Sequence, residues 1–268
     1  MKKVGRTQHI FLFLLVGMMT SFISDAPLKR VVIKANFDQF AIDNIGNIYT
    51  LLDEEIVKYL PNGKLFARYS NLKLGKISGV DATNPLKVLL YYKDFQQLVF
   101  LDNQLSVNSN EVSLENLGYE QTELVCAGAN NSFWIYDRKN NELLRFNENS
   151  KIVSSTGNLK QILKAELDPN FMREYNGFLY LNCPEQGIYV FDFYGAFSKL
   201  IPLKGLRGFR VDEEIVYFRR DSSLCSYNFK FMEEACKPLP DHQLLKGVNY
   251  FKEALYLAYK DSLVAITP

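Results

Sequence analysis

Histidine is almost missing from this 268-residue chain, which holds only His9 and His242. A Ser-His-Asp triad would have to use His242, and the loop Pro240-Asp241-His242 has no motif around it, so His242 reads as a solvated surface residue. Zinc and haem lack a plausible ligand set for the same reason. Cysteine is scarce, at four, and no CxxC occurs, which leaves neither a redox motif nor a zinc site a foothold. GxSxG, HExxH, a phosphate-binding loop and a dinucleotide glycine pattern are all absent. Neither charge sign is in excess, with 31 basic residues against 30 acidic ones. Such a balance provides no long-range attraction for nucleic acid or an anionic membrane.

The one long apolar run lies at the start. Lys2, Lys3 and Arg6 precede the apolar stretch Ile10 to Met19, and small and polar residues follow at Thr20, Ser21, Ser24 and Ala26. This is the pattern of a secretory signal over residues 1–26, with an apolar run short for a bilayer span. Ser24-Asp25-Ala26 offers a small-x-small cleavage site, although Pro27 is a poor first mature residue. Retention as an uncleaved anchor is the minor alternative. No cysteine follows the apolar run, so lipidation there is excluded. The mature chain, residues 27–268, loses Lys2, Lys3, Arg6 and Asp25 and carries one net negative charge. It is expected to be exported to the periplasm or outside the cell, soluble, with no transmembrane segment, and monomeric.

What the sequence has in abundance is aromatic residues, 20 Phe and 16 Tyr, distributed in a repeated phrase. A strand rich in aromatics, a tight polar turn, a second strand and another turn recur from Asn47, Lys87, Ser132, Gly177, Ile215 and Ala254. The residue opening the central turn of each copy is Asp53, Asp94, Asp137, Glu185, Asp221 and Asp261, a mean spacing of about 42 residues. A repeat of that length with several short strands specifies an all-β six-bladed β-propeller with four-stranded antiparallel blades, in one domain over residues 27–268.

The strands of blade 1 are expected at 37–42, 48–52, 56–60 and 65–69. Blade 2 follows at 77–81, 88–92 and 97–101, with its fourth strand after Asp102-Asn103. Blade 3 takes 124–129, 132–136, 142–146 and 151–155; blade 4, 172–175, 178–182, 187–191 and 196–201; blade 5, 208–211, 215–219, 224–228 and 232–237. Blade 6 has only 247–250, 255–259 and 262–266, so residues 30–35 (RVVIKA), near the start of the mature chain, are expected to close it as the missing strand. The longest interval, Asp137 to Glu185, contains an amphipathic stretch at 158–167 that predicts a short helix packed against the ring. Cys225 and Cys236 flank a hairpin turning near Lys230 and Phe231, which makes them either a disulfide or two small buried thiols. Cys126 and Cys183 are expected to be buried and reduced.

In blade 1, Asp43, Gly46, Asn47, Ile48 and Tyr49 form the run D-x-x-G-N-hydrophobic-Tyr, and Pro61-Asn62-Gly63 follows as a P-x-G turn. This run resembles the blades of NHL- and YVTN-type propellers, and the resemblance implies a fold and no substrate. Blade 2 departs from it, with Asn84-Pro85-Leu86 where Gly-Asn would stand, and blades 3 to 6 keep only the hydrophobic pattern. Six-bladed propellers of the lactonase and aryl-esterase kind hold calcium at the channel mouth, through Asp, Glu and Asn between the inner and second strands. That likeness points to Asp43, Asp81, Asn130, Glu174 and Asp212 as candidate ligands, and to a calcium-dependent hydrolase as the alternative function. The competing reading is that Asp and Asn stand there because β-turns use them.

Two further features bear on binding. Lys199, Lys204, Arg207, Arg210, Arg219 and Arg220 crowd into blades 4 and 5 and would receive an acidic partner or polysaccharide if several shared a face; scattered solvated charge is the competing reading. Strand alternation sends Arg219 and Arg220 opposite ways. Tyr91-Tyr92, Phe133-Trp134, Tyr189 to Tyr194 and Tyr250-Phe251 exceed what one core face needs, and serve either as packing between blades or as exposed anchors. Taken together, the residues favour a non-catalytic scaffold of the cell envelope that binds an unidentified envelope protein or a small ligand, with no resident cofactor and no nucleic acid.

Overall fold

The computed structural model describes residues 28–108 and 111–267. The expected signal, residues 1–26, lies outside them. The described residues form six four-stranded antiparallel sheets arranged as a six-bladed β-propeller. From inner to outer strand, blade 1 is Gln39–Ile42, Ile48–Leu52, Glu55–Tyr59 and Leu65–Ser70, and blade 2 is Gly79–Asp81, Val88–Tyr92, Gln97–Leu101 and Val112–Ser113. Blade 3 is Thr122–Ala127, Phe133–Asp137, Glu142–Phe146 and Ile152–Ser155, and blade 4 is Phe171–Tyr175, Phe178–Cys183, Gly187–Phe191 and Phe197–Ile201. Blade 5 is Arg210–Asp212, Ile215–Arg220, Ser223–Asn228 and Glu233–Pro238. Blade 6 takes Gly247–Phe251, Ala254–Ala258 and Ser262–Thr267 from the end of the chain and Lys29–Lys34 from its beginning, paired antiparallel with Val32 opposite Val264. The ring is thus closed by the segment that the sequence left without a blade, and no outer edge is left open there.

Two elements differ from expectation, for local reasons. The outer strand of blade 2 follows Asp102-Asn103 but begins only at Val112. The Asp102 carboxylate accepts from the backbone N–H of Gln104 and Ser106, and Leu105 turns inward at φ +58° and is buried. Pairing is reduced to a single bridge at Val107 before it resumes at Val112. The helix expected over 158–167 spans only Leu159–Leu163. Asn158 caps its start by accepting from the Gln161 N–H, and Lys164 in the left-handed region (φ +52°) ends it. Leu159 and Leu167 still pack into the core between blades 3 and 4, as the amphipathic pattern required.

The core is not central. It is divided into clusters that each lie between two neighbouring blades. Phe133 and Phe146 stack at 5.1 Å in the blade 2–3 seam, together with Leu89, Tyr91, Leu98 and Phe100. Tyr49, Leu51, Tyr92 and Leu101 fill the blade 1–2 seam, and Trp134, Leu181 and Phe191 the blade 3–4 seam. The aromatic pairs of the repeat are therefore mostly blade-to-blade packing, since Tyr91, Tyr92, Phe133, Trp134, Tyr189 and Phe251 are all buried. Tyr194 is the exception, fully at the surface. Leaving the ring centre free of core is what makes a channel there available.

Cys225 and Cys236 stand directly opposite each other on the outer hairpin of blade 5, with Cα atoms 4.1 Å apart, and are joined as a disulfide. Cys126 and Cys183 are buried free thiols whose pKa burial pushes upward, so they are inert.

Candidate functional site

Antiparallel blades give the channel two chemically different mouths. One is formed by the turns from inner to second strand, the other by the second-to-third turns and the links between blades. The candidate ligands Asp43, Asp81, Asn130, Glu174 and Asp212 all belong to the first mouth.

There, the carboxylates are occupied by the ring itself. Asp43 is fully buried and accepts from the backbone N–H of Ile45 (3.0 Å) and Asn47 (2.8 Å), the Asn47 amide (2.7 Å) and the Tyr49 hydroxyl (3.0 Å). Four donors offset the cost of burying the charge, and they explain why Asp, Asn and Tyr stand at those spacings, with Gly46 at φ +88° between them. Burial, and then Asp43, raise the Tyr49 pKa and keep it a hydrogen donor. In blade 2, without the Gly-Asn pair, Asp81 accepts from the Thr83 N–H (2.9 Å) and reaches into blade 3 to accept from the Ala127 N–H (3.1 Å). Glu174 of blade 4 reaches back to blade 3, accepting from the Ala129 N–H (2.8 Å) and the Trp134 indole (2.5 Å). Asp212 accepts from the Tyr175 hydroxyl (3.1 Å), which itself accepts from the Glu213 N–H. Asn130 sits in the left-handed region of a hairpin turn.

Asp81, Glu174 and Asp212 act as latches between blades, whereas Asp43 ties together its own turn in blade 1. Among the described residues, the only group of three His, Cys, Asp or Glu ligand atoms within 4.8 Å of one another is Cys225, Glu234 and Cys236, whose thiols are joined to each other. Among the described residues, no three carboxylates of the first mouth bring oxygens within that distance of one another.

The rest of the channel is an open cavity of about 960 Å³, bounded by blades 4, 5, 6 and 1. Its wall carries Arg173, Lys204, Arg207, Arg210, Arg219, Arg220 and Lys246, against the single acid Asp221. Five of the six cations noticed in the sequence are thus assembled. Lys199 is not, for its ammonium lies 3.9 Å from the Phe229 ring centre instead. Alternation separates Arg219 from Arg220 as expected. Arg220 forms a two-pronged pair with Glu234, whereas Arg219 donates to the carbonyls of Leu245 (2.8 Å) and His242 (3.2 Å) in the link to blade 6. Apart from Arg220, none of the lining cations forms a salt bridge among the described residues.

Arg210 is the most confined of them. From the first position of its inner strand it crosses the channel to donate to the Ile42 carbonyl of blade 1 (3.3 Å), with its guanidinium 3.6 Å from the Phe251 ring centre of blade 6. Burial, and then the neighbouring Arg173 guanidinium, pull its pKa down to about 10, while Asp212 and Asp81 act more weakly the other way. Arg173, Lys246 and Asn249 were not singled out in the sequence. The available signal was arginine at a channel-facing position of an inner strand, shared by Arg173 and Arg210.

No protein-family model matches the chain, and no curated protein matches its sequence. Solved structures do match. Virginiamycin B lyase from Staphylococcus aureus, with quinupristin, is similar at 14% identity and a TM-score of 0.57, covering 85% of this chain and 79% of that one. The Pan2 WD40 domain of Neurospora crassa is similar at 9% identity and a TM-score of 0.61, over 90% and 95%. The extracellular domain of a putative one-component system from B. thetaiotaomicron is similar at 11% identity and a TM-score of 0.55, over 85% of this chain and 32% of that one. What they share with this chain is the propeller fold. Functions as different as a lyase and a WD40 domain on one fold leave the activity to be argued from the site.

Proposed function

We propose that this propeller is a non-catalytic binding module, exported to the cell envelope, that receives a ligand or a partner's acidic segment in its central channel. The observation that carries this reading is the cavity of about 960 Å³, whose wall bears six cations without carboxylate partners and one acid. A rigid closed ring offers such a site with little rearrangement on binding. The wall supplies arginines, lysines, aromatic rings and the paired phenols of Tyr217 and Tyr250 (4.8 Å between ring centres), but no serine, cysteine or histidine to act as nucleophile or base. Burial, and then Tyr250, raise the Tyr217 pKa and leave its hydroxyl a neutral donor. Export is supported by the basic, apolar and small-residue order of residues 1–26. Among the described residues no helix is long and apolar enough to cross a membrane.

The test is a thermal-shift panel of envelope sugars, peptides and organic acids against the wild type and Gly208→Phe. A Cβ at Gly208 meets Phe171 at an ordinary contact distance of 3.8 Å, so the added ring fills the cavity from its wall. Ligands that stabilise the wild type and not Gly208→Phe support the channel as the site. If every ligand found binds both proteins equally, the reading is wrong.

A further inference from the structure

Inside the cavity the charge is placed unevenly, and this narrows the ligand. Arg210 is 92% buried, with 8% of its surface exposed, and its only side-chain hydrogen bond among the described residues is the long one to the Ile42 carbonyl. Arg173, on the inner strand of the neighbouring blade 4, has its Nε buried with no hydrogen-bond partner and its guanidinium 5.6 Å from the Phe171 ring centre. Two partly desolvated guanidiniums on one cavity wall, neither of them in a salt bridge among the described residues, form an arrangement that an anion would stabilise. A second unsatisfied atom lies on the same wall: Asn249 Oδ1 is buried with no donor to accept from. Both atoms have almost no accessible surface, so the unpaired cations of the wall, and not these atoms, are what a ligand can reach.

We propose that the cavity takes an organic carboxylate, bound by the guanidiniums of Arg173 and Arg210. This deepens the reading of the channel as a binding site, and rests on it. The flat guanidinium fork matches a carboxylate with two parallel N–H donations, a geometry a lysine cannot offer. Phe40, Phe171 and Phe209 supply apolar wall for the carbon skeleton. Lys204, Arg207 and Lys246 are placed to draw an anion inward, so binding should weaken as salt rises.

The experiment uses the purified full chain in calorimetric and thermal-shift titrations at matched ionic strength. The probes are citrate, D-glucuronate, D-glucose and inorganic phosphate, with sodium chloride as the blank. Citrate and glucuronate are expected to raise the melting temperature above the blank, and glucose, which has the same ring without the carboxylate, is not. Arg173→Gln should weaken citrate binding about tenfold or more. Without ligand it should melt at the same temperature or higher, because a like-charge contact has been removed, which a merely structural arginine would not do. If Arg173→Gln does not fold, Arg173→Lys keeps the charge and loses the fork, and is expected to weaken citrate binding too. The inference is overturned if no carboxylate exceeds the blank, if glucose matches glucuronate, or if both Arg173 variants bind citrate as the wild type does. Phosphate binding in place of carboxylates, with the same arginine dependence, would replace the ligand class. A neutral ligand blocked by Gly208→Phe but indifferent to Arg173 would overturn the inference and leave the channel reading standing.

Discussion

The seam between blades 2 and 3 and the seam between blades 5 and 6 do the same task with different materials. The first buries nine hydrophobic residues, among them Leu89, Tyr91, Phe100, Phe133 and Phe146. The second buries four: Leu239, Leu245, Leu257 and Val264. In its place blade 5 carries a disulfide across its outer hairpin, Arg219 stitched to two carbonyls of the link to blade 6, and a tilted Tyr217–Tyr250 pair. The channel follows a different division. Beside the tight seams the inner strand of blade 3 lies close to those of blades 2 and 4, whereas the cavity opens along blades 4, 5, 6 and 1. Only the seam between blades 5 and 6 is thin, for the blade 4–5 and blade 6–1 seams that also border the cavity each bury twelve hydrophobic residues.

The comparison can be broken at its strong side first. Phe133→Ala should cost about 3–5 kcal/mol in urea unfolding, because a fully enclosed ring leaves a cavity behind. Leu257→Ala in the thinner seam should cost less than Phe133→Ala, and equal losses would show the two seams to be equivalent. Next in size, Cys225→Ser with Cys236→Ser should lower stability by about 2–3 kcal/mol, as expected for a bridge closing a short loop; the sequence separation is 11 residues. Gly128→Ala should cost about 1–3 kcal/mol, since the added methyl would overlap Ser132 Oγ and press on the Glu174 carboxylate that latches blade 4 to blade 3.

A gradual effect is expected in alkali. Burial raises the phenol pKa of Tyr136 and of Tyr180 to about 12. A group held protonated by the fold stabilises it fully below its unfolded pKa, near 10, and loses that contribution as pH climbs towards the folded value. Melting temperature should therefore fall from pH 10 towards pH 12, with phenolate absorbance rising together with unfolding. Absorbance that rises well before unfolding would show the rings to be accessible. The smallest effect expected is that of calcium: added after chelation, it should leave the melting temperature unchanged, and stoichiometric binding would return the first-mouth carboxylates to the role of ligands.

The fold was legible because its signal is local and repeated. Alternating aromatics and turn residues specify each strand pair independently, and the unassigned strand at residues 30–35 matched the one incomplete blade. A second periodic signal was present as well: Asp102, Asn147 and Asp192 stand 45 residues apart, and each folds the turn into its outer strand by accepting from two backbone N–H groups. The site was only half legible. The cluster of cations in blades 4 and 5 could be counted, but Arg173 and Lys246 join it only when the inner strand of blade 4 and the link to blade 6 fold onto the same wall. The acidic turns were ambiguous for a related reason. A carboxylate that binds a metal and one that accepts from the next blade's backbone look alike in one dimension, and only the position of the neighbouring blade separates them.

The shared sixth blade imposes an order of assembly. A ribosome delivers Lys29–Lys34 first and its partner Ser262–Thr267 last, so that strand must wait, unpaired, for the synthesis of five blades. Closing a loop that spans nearly the whole chain is the slow step that topology imposes. Until it is taken, the two flanks of the ring are open sheet edges of the kind that aggregate. The channel and its arginines therefore exist only in the finished ring, which makes ligand binding a report on completed folding.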